Sequence, residues 1–244
     1  MPLSLTPARR RGVELLDEPH ADPWLQRRSL ADVALANRLF GGTRAVLAEL
    51  GRVVDERVGG MRPGAPLSLL DVGTGIGDIP ARAARLVARR GLRLEATGLD
   101  VAEAVVRASR AAIGAAGVLG DARALPFADR SVDVVACSQV LHHFPDDEAA
   151  LVLREMTRVA RRRVIVADLR RSWLAAAGIW AASFPLRFHP VSRHDGVTSV
   201  LRGYTPAELR AHVHAATGIV PVVRRHHGWR VTASWPPGAP ASAA

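Results

Sequence analysis

Acidic residues stand at or near the ends of two predicted strands, and closely spaced glycines follow the first of them. Asp71 lies in the run 67–72, two residues before a Gly-Thr-Gly-Ile-Gly segment that begins at Gly73. Glycine lets a backbone approach a ligand where a Cβ would collide. A carboxylate beside such a loop suits a ligand with a cationic centre better than a pyrophosphate. Asp100 ends the run 94–99, where an acid can accept hydrogen bonds from ribose hydroxyls.

The glycine segment predicts a strand over 67–72, a tight turn and a helix over 79–90. Such a unit places a ligand at the carboxyl end of the strand, beside the helix N-terminus. A dinucleotide fingerprint would have its third glycine where this chain has Asp78, which disfavours a dinucleotide-dependent oxidoreductase. Asp100 could also serve as the N-cap of a helix over 102–114, and both roles can hold at once.

Histidines are the candidates for proton transfer, because imidazole titrates near neutral pH. His142 and His143 follow a predicted strand over 132–137, on the ligand side of the sheet. His194 lies beside Asp195, which could orient an imidazole. We therefore predict His194, His142 and His143 as the candidate catalytic residues.

The segment 172–204 interrupts the alternation of strands and helices. We expect it to form, together with two N-terminal helices, a cap that encloses an acceptor molecule. Its candidate substrate-binding residues are His189, Arg202 and Trp180, of which Arg202 could pair with a phenolate or carboxylate. The aromatic side chains either line an apolar pocket or form the core of a helical hairpin.

Four segments, in this order, resemble the motifs of class I S-adenosylmethionine-dependent methyltransferases of the small-molecule type, such as the ubiquinone/menaquinone-like and secondary-metabolite enzymes. They are 68–78, 94–100, 118–122 and 131–144, and the last contains Leu-His-His. The resemblance is good over about 67–168. It implies S-adenosylmethionine as cofactor and S-adenosylhomocysteine as product, with Asp121 at the adenine amino group. The cofactor-binding residues that it implies are Asp71, Gly73, Thr74, Gly75, Asp100, Val101, Asp121, Ala122, Ser138 and Gln139.

The resemblance and the order of the predicted elements imply an α/β fold. We expect a Rossmann-like, seven-stranded, mostly parallel sheet with helices on both faces and an antiparallel last strand, plus an N-terminal helical cap. Residues 1–60 would form an arm and the helical cap, 61–235 the methyltransferase core with the cap insertion 172–204, and 236–244 a disordered tail. The predicted strands lie near 67–72, 94–99, 117–119, 132–137, 163–168, 219–225 and 229–234. The predicted helices lie near 22–40, 43–58, 79–90, 102–114, 147–160 and 205–217.

The reaction that the resemblance implies is transfer of a methyl group to oxygen or carbon of a small aromatic, quinone or polyketide-like acceptor. The motif Asn/Asp-Pro-Pro-aromatic, typical of enzymes that methylate amino groups of bases, is replaced by Cys137-Ser138-Gln139-Val140. This disfavours DNA as a partner. Two alternatives remain open, an RNA methyltransferase and an inactive donor-binding accessory protein.

Composition limits the remaining possibilities. The formal net charge is +10, and every positive side chain counted in it is an arginine. The arginines are scattered without interleaved aromatics, which disfavours RNA as a partner. The one cysteine, Cys137, is expected in the core. We expect no membrane span, no secretory signal, a cytoplasmic location and a monomer or homodimer. No group of residues has metal-ligand spacing, so we predict no metal site.

Overall fold

The structure, a computed structural model, describes residues 6–10, 12, 14–15, 23–58, 62–113 and 116–238. Parts of the predicted N-terminal arm and most of the predicted tail lie outside these residues. The described chain forms one seven-stranded sheet with helices on both faces, as the sequence predicts.

The sheet is parallel except for one strand. The strands are β1 (Pro66–Val72), β2 (Arg93–Asp100), β3 (Ala116–Leu119), β4 (Val132–Ser138), β5 (Ala160–Leu169), β6 (Val222–His226) and β7 (Arg230–Trp235). Their order across the sheet is β3-β2-β1-β4-β5-β7-β6. The last strand, β7, runs antiparallel to both of its neighbours, which confirms the predicted antiparallel strand. Because the chain reverses its winding direction at β1 and β4, the carboxyl ends of these strands border a crevice.

Eight helices are seen in the described residues. They are α1 (Pro23–Leu39), α2 (Gly42–Val58), α3 (Asp78–Ala88), α4 (Glu103–Ile113), α5 (Asp146–Val159), α6 (Trp173–Ala182), α7 (Pro190–Arg202) and α8 (Pro206–Thr217). Among them, no helix combines the length and the apolar character that crossing a lipid bilayer requires.

Alternating side chains of the central strands build two cores. In β4, Val134 and Ala136 pack in the cluster that faces α2 and α3, whereas Val135 and Cys137 pack in the cluster that faces α5 and α8. This is the period-two pattern of a strand, with apolar residues at every position because both faces are covered. The position of Cys137 confirms that it is a core residue.

The helix α2 belongs to the core and not to the cap in which we predicted it. Its side chains Val46, Leu50, Val53 and Val54 are buried against β1 and α3. The apolar face of α2 therefore completes one layer of the sheet. Of the two N-terminal helices, α1 supplies the residues that face the site described below.

The helices α6 and α7 form a helical hairpin. Ser172 caps α6 by accepting a hydrogen bond from the backbone of Leu174, and Pro190 occupies the first turn of α7. The two helices bury Ala175, Ala176, Val200 and Leu201, together with Leu169 at the end of β5. The hairpin is thus fixed over the carboxyl end of the sheet.

The turn between β6 and β7 packs tightly against the end of α1, and this contact predicts a stability difference. Gly228 has φ 71°, and a Cβ there would overlap the carbonyl group of Phe40. Gly218, at the end of α8, has φ 72° but open space around a Cβ. Gly218→Ala should cost about 1–2 kcal/mol from backbone strain. Gly228→Ala should cost roughly 1–3 kcal/mol more, because backbone must also move.

Urea unfolding of the two variants and the parent protein measures this difference. Equal losses of unfolding free energy would show that the hairpin turn is not held against α1.

Candidate active site

A cavity of about 640 Å³ opens at the carboxyl ends of β1, β2, β4 and β5. One side is formed by the loops that follow the strands, and the other by α1, α6, α7 and the β6–β7 turn. The loop segments that line it are 73–76, 99–102, 120–123 and 138–140, and the facing segments include 142–144 and 228–230. Four sequence motifs that are far apart in the chain therefore meet in one cavity.

The glycine loop has the tight backbone that its sequence predicts. Gly73 has φ 69°, and the side chain of Val140 occupies the place of a Cβ there. The backbone N–H groups of Gly73 and Thr74 donate to the carbonyl oxygen of Leu99, at 2.8 and 3.0 Å. Gly75 has φ 54° and open space where a Cβ would be. The loop is thus pinned to β2 and presents bare backbone to the cavity.

Asp71 lies beneath this loop and does not line the cavity. Its buried carboxylate accepts a hydrogen bond from Thr74 Oγ1 at 2.9 Å. Burial raises the pKa of Asp71 to about 7. The hydrogen bond from Thr74 acts to lower this pKa, and the charges of Asp78 and Asp100 act to raise it. Asp71 therefore holds the loop and supplies negative potential to the cavity.

Asp100 combines the two roles that the sequence left open. One carboxylate oxygen accepts from the backbone N–H of Ala102 at 3.1 Å, as a helix cap does, and the other from that of Gly75 at 3.4 Å. Asp100 and the exposed Val101 both line the cavity. Burial raises the pKa of Asp100, and its three backbone hydrogen bonds oppose this.

Asp121 also lines the cavity, but Arg123 occupies its carboxylate. Arg123 Nη2 donates to Asp121 Oδ2 at 2.6 Å, and its backbone N–H donates to Oδ1 at 2.8 Å. Hydrogen bonds from Arg123 hold the pKa of Asp121 below its usual value. The half-exposed Arg123 must shift if Asp121 is to accept from an adenine amino group. Ala122, the next residue, is buried at the cavity wall.

Ser138 and Gln139 end β4 in the cavity. The buried Ser138 Oγ has no hydrogen-bond partner among the described residues. Gln139 has φ 57°, a conformation that side-chain-bearing residues rarely adopt, and its amide nitrogen donates to Asn37 Oδ1 of α1. This strained residue joins the sheet to α1 at the site.

His142 lines the cavity and pairs with Asp168, and both residues are buried. His142 Nδ1 lies 2.6 Å from Asp168 Oδ1, and the backbone N–H of His142 donates to Asp168 Oδ2 at 3.2 Å. Burial alone would raise the pKa of Asp168, but the charge and hydrogen bond of His142 and the Leu169 N–H hold it below its usual value. An ionised carboxylate only accepts, so Nδ1 carries a hydrogen, and in the neutral imidazole the lone pair is then on Nε2. Nε2 has no hydrogen-bond partner among the described residues.

Glu14, from the N-terminal segment, also lies beside His142. Its Oε1 lies 3.7 Å from His142 Nε2 and accepts from Arg202 Nη1 and Ser199 Oγ, both at 2.9 Å. Glu14, His142 and His143 offer possible metal-ligand atoms within 4.8 Å of one another, although the sequence predicted no metal site. The two imidazoles, however, stack with centroids 4.3 Å apart and planes 30° apart. Arg202 pairs with Glu14 at 2.9 Å, so this carboxylate is already engaged.

The residues predicted in the cap lie outside the cavity lining. The side chain of His194 is 53% exposed and pairs with Asp195 at 2.9 Å. Trp180 is 54% exposed and packs edge-on against Phe184. His189 caps α7, and Arg202 pairs with Glu14. The cavity is lined instead by small and aliphatic residues of this hairpin, namely Ala175, Gly178, Ile179, Gly196, Ser199 and Val200.

Sequence reasoning also missed residues that do line the cavity. Ser29 and Asn37 of α1, Phe40 just after it, Glu14, and Arg230 of β7 all face it. For α1, Asn37 shortly before Gly41-Gly42 was a visible signal, since a buried amide near a helix end is unusual. The sequence offered no such signal for Arg230, because the position of Arg230 depends on the pairing of β7 with β5.

This chain is similar to known proteins over its central sheet and also over the segments before and after it. A family model described as "Methyltransferase domain" matches residues 70–167. An uncharacterized methyltransferase from Mycobacterium sp. strain JLS is 31% identical over 211 residues, which cover 84% of this chain and 69% of that protein. The chain belongs to the S-adenosylmethionine-dependent methyltransferase family.

Two further matches are shorter or less similar in sequence. A demethylmenaquinone methyltransferase from Thermotoga maritima is 36% identical over 107 residues, covering 43% of this chain and 44% of that protein. The chain thus spans less than half the length of this curated relative. The crystal structure of magnesium protoporphyrin IX methyltransferase from Synechocystis PCC 6803 with bound SAH matches with a TM-score of 0.56 and 18% identity, over 84% of this chain and 87% of that chain. At that identity the likeness concerns the fold.

The residues of this methyltransferase fit the donor of its family. S-adenosylmethionine carries a sulfonium, an ammonium, ribose hydroxyls and an adenine amino group. Asp71, Asp78 and Asp100 give the glycine-loop end a negative potential suited to the cations. Asp100 offers carboxylate oxygens for the ribose, and the open space at Gly75 is a cradle that a side chain would fill.

Gly75→Ala should weaken S-adenosylmethionine binding by about tenfold or more, since the added Cβ projects into the cradle. Gly91→Ala is the matched control. Gly91 also has a positive φ (73°) and open space around a Cβ, but it does not line the cavity. Calorimetry should find normal affinity in the Gly91 variant. Equal affinity in both variants would place the donor elsewhere.

Donor binding should also strengthen as pH rises through about 7. A bound cation favours ionised Asp71, so its pKa falls on binding, and affinity should rise about tenfold for each unit of that fall. Asp71→Asn should lack this component. The donor's own amino group titrates in both proteins and cancels in the ratio of their affinities. A constant ratio from pH 6 to 8 would contradict the prediction.

Proposed function

We propose that this methyltransferase transfers a methyl group from S-adenosylmethionine to oxygen or carbon of a small hydroxylated aromatic, quinone or polyketide-like acceptor. His142 is the general base in this proposal and Asp168 orients it. The observation that carries the proposal is that the His142–Asp168 pair and the glycine loop line or border one continuous cavity.

His142 can take a proton from an acceptor hydroxyl at Nε2. Asp168 fixes the tautomer by accepting from Nδ1, and it stabilises the imidazolium once the proton has moved. The oxyanion that remains makes the oxygen, or a ring carbon conjugated with it, nucleophilic. When bound, S-adenosylmethionine supplies an electrophilic methyl group on a positively charged sulfur. One base therefore serves both O- and C-methylation.

The walls opposite the loops favour a flat apolar acceptor. Leu30 and Val33 of α1, Phe40 just after it, Phe144, and Ile179 of α6 line this part of the cavity. Apolar walls exclude water and strengthen the electrostatic interactions of the groups inside them. The match to a demethylmenaquinone methyltransferase supports an acceptor of this type.

Substitution of the proposed base tests the assignment. A panel of hydroxynaphthoquinones and acylphenols is first incubated with the protein and labelled donor, and a methylated member is used as acceptor. His142→Asn should lower kcat/KM by roughly 10²–10⁴-fold while donor affinity stays within a few-fold. Asp168→Asn should also lower kcat/KM, because Asp168 orients the proposed base. Activity of the His142 variant should recover at higher pH, where the acceptor ionises unaided.

His194→Asn is the matched control, because His194 forms the same kind of pair with Asp195 but is exposed outside the cavity. It should retain full activity. Full activity in the His142 variant, with loss in the His194 variant, would reverse the assignment. Failure of every panel member with an intact donor site would argue against this acceptor class.

A further inference from the structure

Arg230 is a buried cation in the cavity wall, and it has no ion-pair partner among the described residues. It is 6% exposed and lies at the start of β7, beside the β6–β7 turn that lines the cavity through Gly228 and Trp229. No carboxylate of the described residues lies within ion-pair distance of its guanidinium. Its Nε has no hydrogen-bond acceptor in the described chain, and Nη1 makes one long bond of 3.3 Å to the carbonyl oxygen of Gly228.

Such a charge is costly to a fold. An unpaired cation loses its hydration on burial, and proteins normally match it with a carboxylate. Burial accordingly lowers the pKa of Arg230 to about 10, and the charge of Asp168 opposes this only in part. The carboxylate of Asp168 is already engaged by His142 and by the backbone of Leu169.

The other arginines around the cavity are matched. Arg202 pairs with Glu14 at 2.9 Å, and Arg123 pairs with Asp121 and Glu148. Arg230 therefore differs from them in having unused capacity to bind an anion, in a cavity whose apolar walls strengthen that attraction.

We infer that Arg230 recognises the acceptor, and that the acceptor is a planar molecule that carries an oxyanion, as an ionised hydroxyquinone or acylphenol does. The inference rests on the proposed function, because the anion is the acceptor from which His142 removes a proton or which enters already ionised. A planar guanidinium that only donates suits a delocalised oxyanion. The cation also stabilises the negative charge that develops before methyl transfer.

The cavity then has two electrostatic ends. Asp78 and Asp100 face the cationic donor, with Asp71 buried beneath the glycine loop behind them, and Arg230 faces the anionic acceptor. A neutral molecule of the same shape can accept hydrogen bonds from Arg230 but leaves its charge unmatched, so discrimination against it follows from the same residue.

Binding of lawsone, a hydroxynaphthoquinone that is ionised at neutral pH, is compared with binding of its neutral methyl ether. The parent protein should prefer lawsone by about tenfold or more. Arg230→Met should abolish this preference, and Arg230→Lys should restore part of it. Arg225→Met removes the same charge from the same hairpin at an exposed position, and it should keep the preference.

Thermal unfolding supplies a second readout. Because Arg230 has no ion-pair partner in the part of the chain that the structure describes, Arg230→Met should leave Tm unchanged or raise it, whereas loss of a residue with a structural role would lower Tm. Three results would each overturn the inference. They are an unchanged preference in Arg230→Met, a lack of preference in the parent protein, and a fall in Tm together with loss of both ligands. S-adenosylmethionine binding, measured on the same samples, should be retained in all variants. Its absence from the parent protein would defeat the proposed function instead.

Discussion

The carboxylate of Asp168 is fully buried at the carboxyl end of β5, and a charge in that position must be matched by hydrogen bonds. His142 and Leu169 provide them, so the turn after β4 is fixed to the end of β5. The same turn carries His143 and Phe144 to the cavity wall. A substitution at His142 that removes every side-chain donor would leave Asp168 without that partner in the core, whereas the amide of Asn can still donate.

The electrostatic arrangement of the cavity follows from which strands end there. The β1 and β2 ends supply Asp71 and Asp100, which suit a cationic donor. The antiparallel pairing of β7 with β5 places Arg230 opposite Leu169, at the proposed acceptor end. In the proposed reaction, opposite charges at the two ends would orient both reactants, and orientation of this kind is the main catalytic contribution available to a protein when the donor is intrinsically reactive.

The sequence predicted the features that depend on local chemistry. The Gly73–Gly77 turn, Asp100 and the strands near it follow from glycine spacing and apolar runs, and the structure has them at nearly the predicted boundaries. The proposed roles of Glu14, Asp168 and Arg230 depend on pairing between distant segments. No local pattern indicates such pairing in a single sequence.

The cap shows why helix faces were harder to predict than helices. The segment 173–182 is apolar on all sides, so its sequence has no periodicity that identifies the inward face. Aromatic residues were expected to face the acceptor. Trp180 instead lies outside, since the close approach of α6 and α7 at the cavity favours Ala175, Gly178 and Gly196.

The account depends most on the tautomer of His142, which nuclear magnetic resonance of protein labelled at the imidazole nitrogens reports directly. In its neutral form the imidazole of His142 should carry its hydrogen on Nδ1, with an unprotonated Nε2 whose signal shifts when lawsone is added. Asp168→Asn should disturb this state, because an amide can also donate to Nδ1. A hydrogen on Nε2 in the parent protein, or an Nε2 signal that does not respond to lawsone, would contradict the assignment of His142 as the base.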